Sequence, residues 1–146
     1  MIRELRKEDK DLFISMVKDF YNSDAVLHSI PTENIINTYN EVVSGSPYAK
    51  VYIMEEEKEI AGYGQISLTY SNEAGGLVIW IEEIYILEKF RGLGLGGKFL
   101  DFIDREFSGK AKRFRLEISE ANEGAQRLYL RKGYTSLDYL QMVRDI

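Results

Sequence analysis

Four glycines in six residues, Gly92-Leu93-Gly94-Leu95-Gly96-Gly97, separate an almost unbroken apolar run, Val78 to Leu87, from an amphipathic one carrying Phe99, Leu100, Phe102, Ile103 and Phe107. No other feature restricts the possible folds as much. The first run reads as a central strand buried on both faces and the second as a helix, so the glycines make a tight strand-to-helix connection. Glycine admits left-handed backbone there and lets successive N–H groups converge at a helix start, which is the physics of an anion cradle. Arg91 and Lys98 flank the turn and add positive charge. The competing reading, a connection needed only for close packing, accounts for fewer of these residues.

The rest of the chain narrows the chemistry. Its 146 residues suffice for one packed core, and a single domain over residues 1–146 is expected. There is no cysteine and one histidine, His28, so thiol nucleophiles, cysteine-ligated zinc and multi-histidine metal sites are excluded. No metal is expected. The formal net charge is −5, which argues against nucleic acid as partner. Residues 1–87 hold 7 Lys/Arg against 15 Asp/Glu, whereas residues 88–115 hold 8 against 4. A small anion therefore suits the middle block and a cationic ligand the acidic first part. No apolar run has the length of a membrane span, and no signal-like stretch opens the sequence, so a soluble, cytoplasmic chain is expected.

Periodicity gives the element order. Leu12, Phe13, Met16, Val17 and Phe20 predict a helix near 8–21; Ile35, Ile36, Tyr39, Val42 and Val43 predict another, capped by Thr32 and ended by Gly45. The period then falls to two: a strand at Val51 to Met54, a turn at Glu55 to Lys58, and a strand at Ile60 to Tyr70 form an antiparallel hairpin. Glu82 and Glu83 interrupt the buried strand that follows. After the glycine turn and its helix come a strand at Arg113 to Ser119, a short helix capped by Asn122 and stopped at Gly133, and one or two closing strands within Tyr134 to Val143. The fold class is α/β (α+β), with a mixed, mostly antiparallel central sheet of six to seven strands and about four helices.

Three phosphate-binding patterns compete for the glycine turn. Gly92, Gly97 and Lys98 have P-loop spacing, but Phe99 follows where a magnesium-holding hydroxyl is needed. Gly92, Gly94 and Gly97 fit G-x-G-x-x-G, with Glu117 about 20 residues on. Against a dinucleotide fold stand the charged Glu88-Lys89-Phe90-Arg91, the antiparallel hairpin before it, and the few residues left after Glu117. The third pattern covers more of the chain. Ile84 to Gly96, with Arg91, Gly94 and Gly96 in Arg-x-x-Gly-x-Gly spacing, resembles the acyl-CoA motif of the GNAT superfamily of N-acetyltransferases. Asn122-Glu123-Gly124-Ala125-Gln126-Arg127-Leu128-Tyr129-Leu130-Arg131-Lys132-Gly133-Tyr134 resembles the same family's later Asn-x-x-Ala-x-x-Leu-Tyr-x-x-x-Gly-Tyr element. Residues 22–50, the region that usually shapes the family's acceptor pocket, carry no signature.

The resemblance implies a splayed strand pair that binds acyl-CoA, the first strand bent by a bulge. It assigns Ile84, Tyr85 and Ile86 to the pantetheine arm, with a backbone N–H near Ile86 polarising the thioester carbonyl. Gly92, Leu93, Gly94, Leu95, Gly96 and Gly97 would hold the diphosphate, Arg91 and Lys98 would add charge, and Asn122 would cap its helix and touch the cofactor. Acyl transfer needs a neutral amine, and a free alkylamine titrates near about 10, so a base is required. Glu82 is the first choice, because a carboxylate within an apolar strand is costly unless used, and because it matches an acidic residue of the polyamine acetyltransferases. Side-chain alternation lets only one of Glu82 and Glu83 face the acceptor. Glu117 is the rival base; its alternative role is an ion pair with Arg113, Arg115 or a lysine. Tyr129 matches the family's general acid, and His28 reads as a linker residue.

The expected function is acetyl-CoA-dependent transfer of an acetyl group to a primary amine of a small cationic molecule or a protein. Its expected partners are acetyl-CoA and the amine, in a monomer or homodimer, with no nucleic acid and no membrane. The alternatives are a non-catalytic acyl-CoA-binding module and a dinucleotide-binding domain.

Overall fold

In the computed structural model, which describes residues 1–146, five strands form one sheet in chain order. They are β1 (Ile2–Glu4), β2 (Ala49–Glu56), β3 (Glu59–Ser71), β4 (Gly76–Ile86) and β5 (Ala111–Leu116). The helices are α1 (Lys10–Tyr21), α2 (Thr32–Val43), α3 (Leu95–Glu106) and α4 (Glu123–Arg131). β1 through β4 pair antiparallel, and β4 pairs parallel with β5. Because α3 connects β4 to β5, the sheet contains one β-α-β unit, which is why the glycine turn imitates dinucleotide spacing.

Both faces of the sheet are covered, so its middle strands are apolar on both. On β2, Val51 and Ile53 join Phe13, Met16, Val17, Ile35 and Tyr39 beneath α1 and α2. Tyr52 and Met54 point the other way, to Phe99, Leu100 and Ile103 of α3. Gly64 permits the close approach of α3: a Cβ there would lie 2.2 Å from the Phe99 ring. Replacing Phe99 by alanine would cost about 3–5 kcal/mol by the usual measure of a buried aromatic.

Several features differ from expectation, among them β2, which runs Ala49–Glu56 and takes in two residues, Glu55 and Glu56, expected in the turn. Pro31, not Thr32, occupies the N-cap of α2, and Thr32 is its first helical residue. β5 ends at Leu116 rather than Ser119, because its partner strand leaves after the Ile81–Leu116 pair and the next residues have no ladder. The sheet has five strands rather than six or seven: Tyr134 to Val143 forms no strand. Alternating apolar residues make a strand only with a ladder partner, and this segment's internal backbone bond is the local one from Tyr139 N–H to the Leu137 carbonyl. Leu140, Met142 and Val143 are almost fully exposed, and Tyr139 ties the segment to the β3–β4 turn by donating to Glu73 at 2.6 Å. No helix is long and apolar enough to cross a membrane.

The register of β3 against β4 carries the main irregularity. Gln65 pairs with Glu83 and Ile66 with Ile81, leaving Glu82 without a partner: a β-bulge. Ile79 and Ile81 face α3, and beyond the bulge so do Ile84 and Ile86, while Tyr85 and Leu87 face α1 and α2. The extra residue therefore turns Glu82 and Glu83 to the same side. This overturns the alternation argument that only one of them can face an acceptor.

Candidate active site

β4 and β5 part company where the bulge bends β4. The last pair is Ile81 with Leu116, so Glu83 to Ile86 are paired on the β3 side alone and the bulged Glu82 on neither. Leu87 N–H donates to the Ala61 carbonyl at 2.8 Å, in register with the pairs Tyr85–Tyr63 and Glu83–Gln65. Antiparallel alternation then aims the backbone groups of Ile84 and Ile86 away from β3, into the gap. Tyr85 is directed otherwise: its backbone belongs to the β3 ladder, and its hydroxyl lies 3.4 Å from Asp19 of α1. Of the three residues expected along the pantetheine arm, two present backbone groups to the gap. The Ile86 carbonyl is already taken by Arg91 Nε at 3.0 Å, which leaves the Ile86 N–H available.

The gap leads to the glycine turn. A 3-10 turn, Glu88–Phe90, precedes it, and Gly92 and Gly94 adopt φ of +78° and +73°. A Cβ at either would meet nothing within 4 Å, so glycine is needed there for its backbone angle and not for room. Gly96 and Gly97 differ. A Cβ at Gly96 would lie 3.2 Å from Leu128, and one at Gly97 3.4 Å from Lys132, so these glycines let α4 close on α3. Gly94 is the N-cap of α3, and Lys98 N–H donates to its carbonyl at 3.0 Å. The amides of Leu95, Gly96 and Gly97 thus have no intrahelical acceptor and, with the helix dipole, suit a phosphate. Leu95 anchors the turn in the core, whereas Leu93 is half exposed. Lys98 leans to Glu56, 3.7 Å away. Lys132 brings a cation that the sequence reading missed, packed beside Gly97 and bound to Asp101 at 2.6 Å. Its position next to the helix-stopping Gly133 was the available signal.

At the other end the gap opens on a cleft of about 630 Å³ that brings together Glu82, Glu83, Glu117, Asn122 and Tyr129. The residues between α1 and α2, including His28, cover it. Glu83, not Glu82, is the buried carboxylate, 7% exposed. It accepts hydrogen bonds from Tyr21 at 2.6 Å and Tyr63 at 2.7 Å. Burial holds the Glu83 carboxyl above the ordinary carboxylate range, outweighing the two hydroxyls that favour its charged form. Burial and the same carboxylate push both tyrosines up, so they remain donors.

Glu82 is exposed to the cleft and accepts from Ser67 Oγ. Glu117 is exposed at the cleft edge, and the ion pair envisaged for it does not form: Arg113 binds Glu73 at 2.7 Å and Arg115 stacks 4.1 Å from the Trp80 ring. Tyr129 projects from α4, its phenol pushed up to about 12 by burial. Its proton is therefore in place at neutral pH. Asn122 Oδ1 accepts from Ala125 N–H at 3.2 Å, the helix cap expected of it.

The chain is similar in sequence and fold to known acetyltransferases. A model of the acetyltransferase (GNAT) family matches residues 11–134. The chain is 24% identical over 138 residues to thialysine N-epsilon-acetyltransferase of Mus musculus, covering 88% of this chain and 79% of that protein. It is 29% identical over 99 residues to spermine/spermidine N(1)-acetyltransferase of Bacillus subtilis (strain 168), covering 56% and 65%. Among solved structures, an aminoglycoside N-acetyltransferase in complex with CoA superposes with a TM-score of 0.80 at 16% identity, over 99% of this chain and 93% of that one. A predicted acetyltransferase with acetyl-CoA from Clostridium acetobutylicum gives 0.79 at 17% identity, over 99% and 95%.

Proposed function

The chain belongs to the GNAT acetyltransferase family and is an N-acetyltransferase; from that premise we propose that it moves an acetyl group from acetyl-CoA to a primary amine of a small cationic molecule. The observation that carries this reading is the opening of β4 from β5 beyond Ile81 and Leu116, with unpaired amides along one side and a carboxylate-lined cleft at its end. The residues present fit acetyl-CoA: the amides of Ile84 and Ile86 for an extended amide-bearing arm, and the free amides of the glycine turn with Arg91 and Lys132 for its diphosphate. Acetyl-CoA supplies the activated acyl group. The Ile86 N–H polarises the thioester carbonyl.

Glu82 takes the ammonium proton, directly or through one water, so that the amine has a lone pair. Glu117, across the cleft, is the second proton acceptor. Glu83 positions the amine electrostatically and holds Tyr21 at the cleft wall. Tyr129 donates its proton to the departing sulfur. A carbon–nitrogen bond forms, the nitrogen's second proton passes to Glu117 or to water, the carbon–sulfur bond breaks, and the Tyr129 proton is recovered from solvent. The thialysine and spermine/spermidine activities in the names of the two relatives support an amine acceptor with a second charged group.

The test is thiol release from acetyl-CoA across a panel of amines. Release that depends on a cationic primary amine is expected. Background hydrolysis alone with every amine would overturn the reading.

A further inference from the structure

A second, smaller cavity of about 240 Å³ adjoins the cleft on the α1/α2 side of the sheet. The two share Tyr21, Ile30, Glu82 and Glu83 as a common wall, so the paired carboxylates stand between them. Nothing in the acetyl-transfer chemistry requires the smaller chamber. Its sides are apolar, from Val17 of α1, Ile30 of the segment before α2 and Ile35 of α2. Its remaining polar groups are Asn34 and Thr38, one turn apart on α2, and Gln65 of β3, beside Glu83 in the sheet. Thr38 Oγ1 donates its proton to the Asn34 carbonyl at 3.0 Å and keeps its lone pairs for a donor. No Lys, Arg or His lines the chamber.

We propose that this chamber is the distal acceptor subsite, holding the second ammonium group of an α,ω-diamine while the first stands in the main cleft. Methylenes lie against Val17, Ile30 and Ile35. The far ammonium donates to the oxygens of Asn34, Thr38 and Gln65, within the field of Glu82 and Glu83. An apolar channel that ends in side chains with oxygens able to accept, and with no cationic side chain beside them, matches a chain that is greasy in the middle and cationic at its tip. A monoamine of equal length would leave those groups without a partner and bring a methyl group to them, which is the arrangement that rejects a ligand most strongly. The inference rests on the acetyl-transfer reading for the position of the reacting end, and on the cavity alone for the far end.

The experiment compares 1,4-diaminobutane and 1,5-diaminopentane with n-butylamine and n-pentylamine, both as substrates with acetyl-CoA and as ligands by titration calorimetry with CoA present. The diamines are expected to have kcat/KM and affinity about 10-fold or more above the monoamines. In Asn34→Leu and in Thr38→Ile, on different turns of α2, that ratio should fall towards one. A ratio within one protein is independent of how much of the variant is folded, and Gln65→Leu reads the same subsite from the sheet side. A ratio near one in the unaltered protein, or one that survives all three substitutions, would overturn the subsite. Selective diamine binding without any turnover would overturn the acetyl-transfer reading and leave the subsite standing.

Discussion

The two halves of β4 share one strand and have opposite tasks. Leu77 to Ile81 is flanked by β3 and β5, and Val78, Ile79 and Ile81 are buried. Glu82 to Ile86 keeps only β3, carries two adjacent carboxylates, and presents backbone amides to an open gap. The first half is the stability of the sheet; the second is a strand edge inside the molecule. An unpaired edge is normally a liability, and here a single bulge confines it to five residues between a glycine turn and a covered cleft. The difference teaches that binding capacity in this fold comes from withholding a ladder partner as much as from supplying side chains.

Substitutions at the open half should cost turnover, and the largest losses are expected where protons move. Tyr129→Phe and Glu82→Gln should each lower kcat by about 10²-fold or more with folding intact, read by steady-state kinetics and a melting curve. Glu117→Gln should cost less than Glu82→Gln; the reverse order would move the base to β5's side of the gap. Next in size, Gly94→Val forces a branched residue into left-handed backbone at the α3 N-cap. It should raise KM for acetyl-CoA by about 10-fold and destabilise by about 1–2 kcal/mol. In the paired half, Ile79→Val should cost about 0.5–1.5 kcal/mol of stability and leave KM alone.

The smallest effect is a pH slope. Glu83 has a carboxyl held above its unfolded value by burial, so the folded chain binds more protons in the window from about 4.3 up to that raised value. Stability should fall as pH rises through the window and level off above it. Glu83→Gln should abolish that fall in melting temperatures measured from pH 4 to 8; an unchanged slope would mean the carboxylate is not strained.

The glycine turn, the Asn122 cap and the order of elements were legible in the sequence because each is a local matter of backbone angle, capping or period. Gly94 needs its left-handed φ whatever lies beyond it. The bulge was not legible. It arises from the register of Gln65 and Ile66 against residues about 16 positions later, and it alone turns both glutamates to one side. The hydrogen bond from Tyr21 to Glu83 spans 62 residues, so the burial that the sequence suggested for Glu82 fell to its neighbour. The tail failed for a related reason: alternation in Tyr134 to Val143 says nothing about whether an edge is there to receive it.

Amide hydrogen exchange along β4 tests the central claim most directly. Without ligand, Ile84 and Ile86 should exchange faster than Ile79 and Ile81, and CoA should slow the first pair while leaving the second unchanged. Equal protection of all four before CoA is added, or no slowing at Ile84 and Ile86 at saturating CoA, would contradict the account.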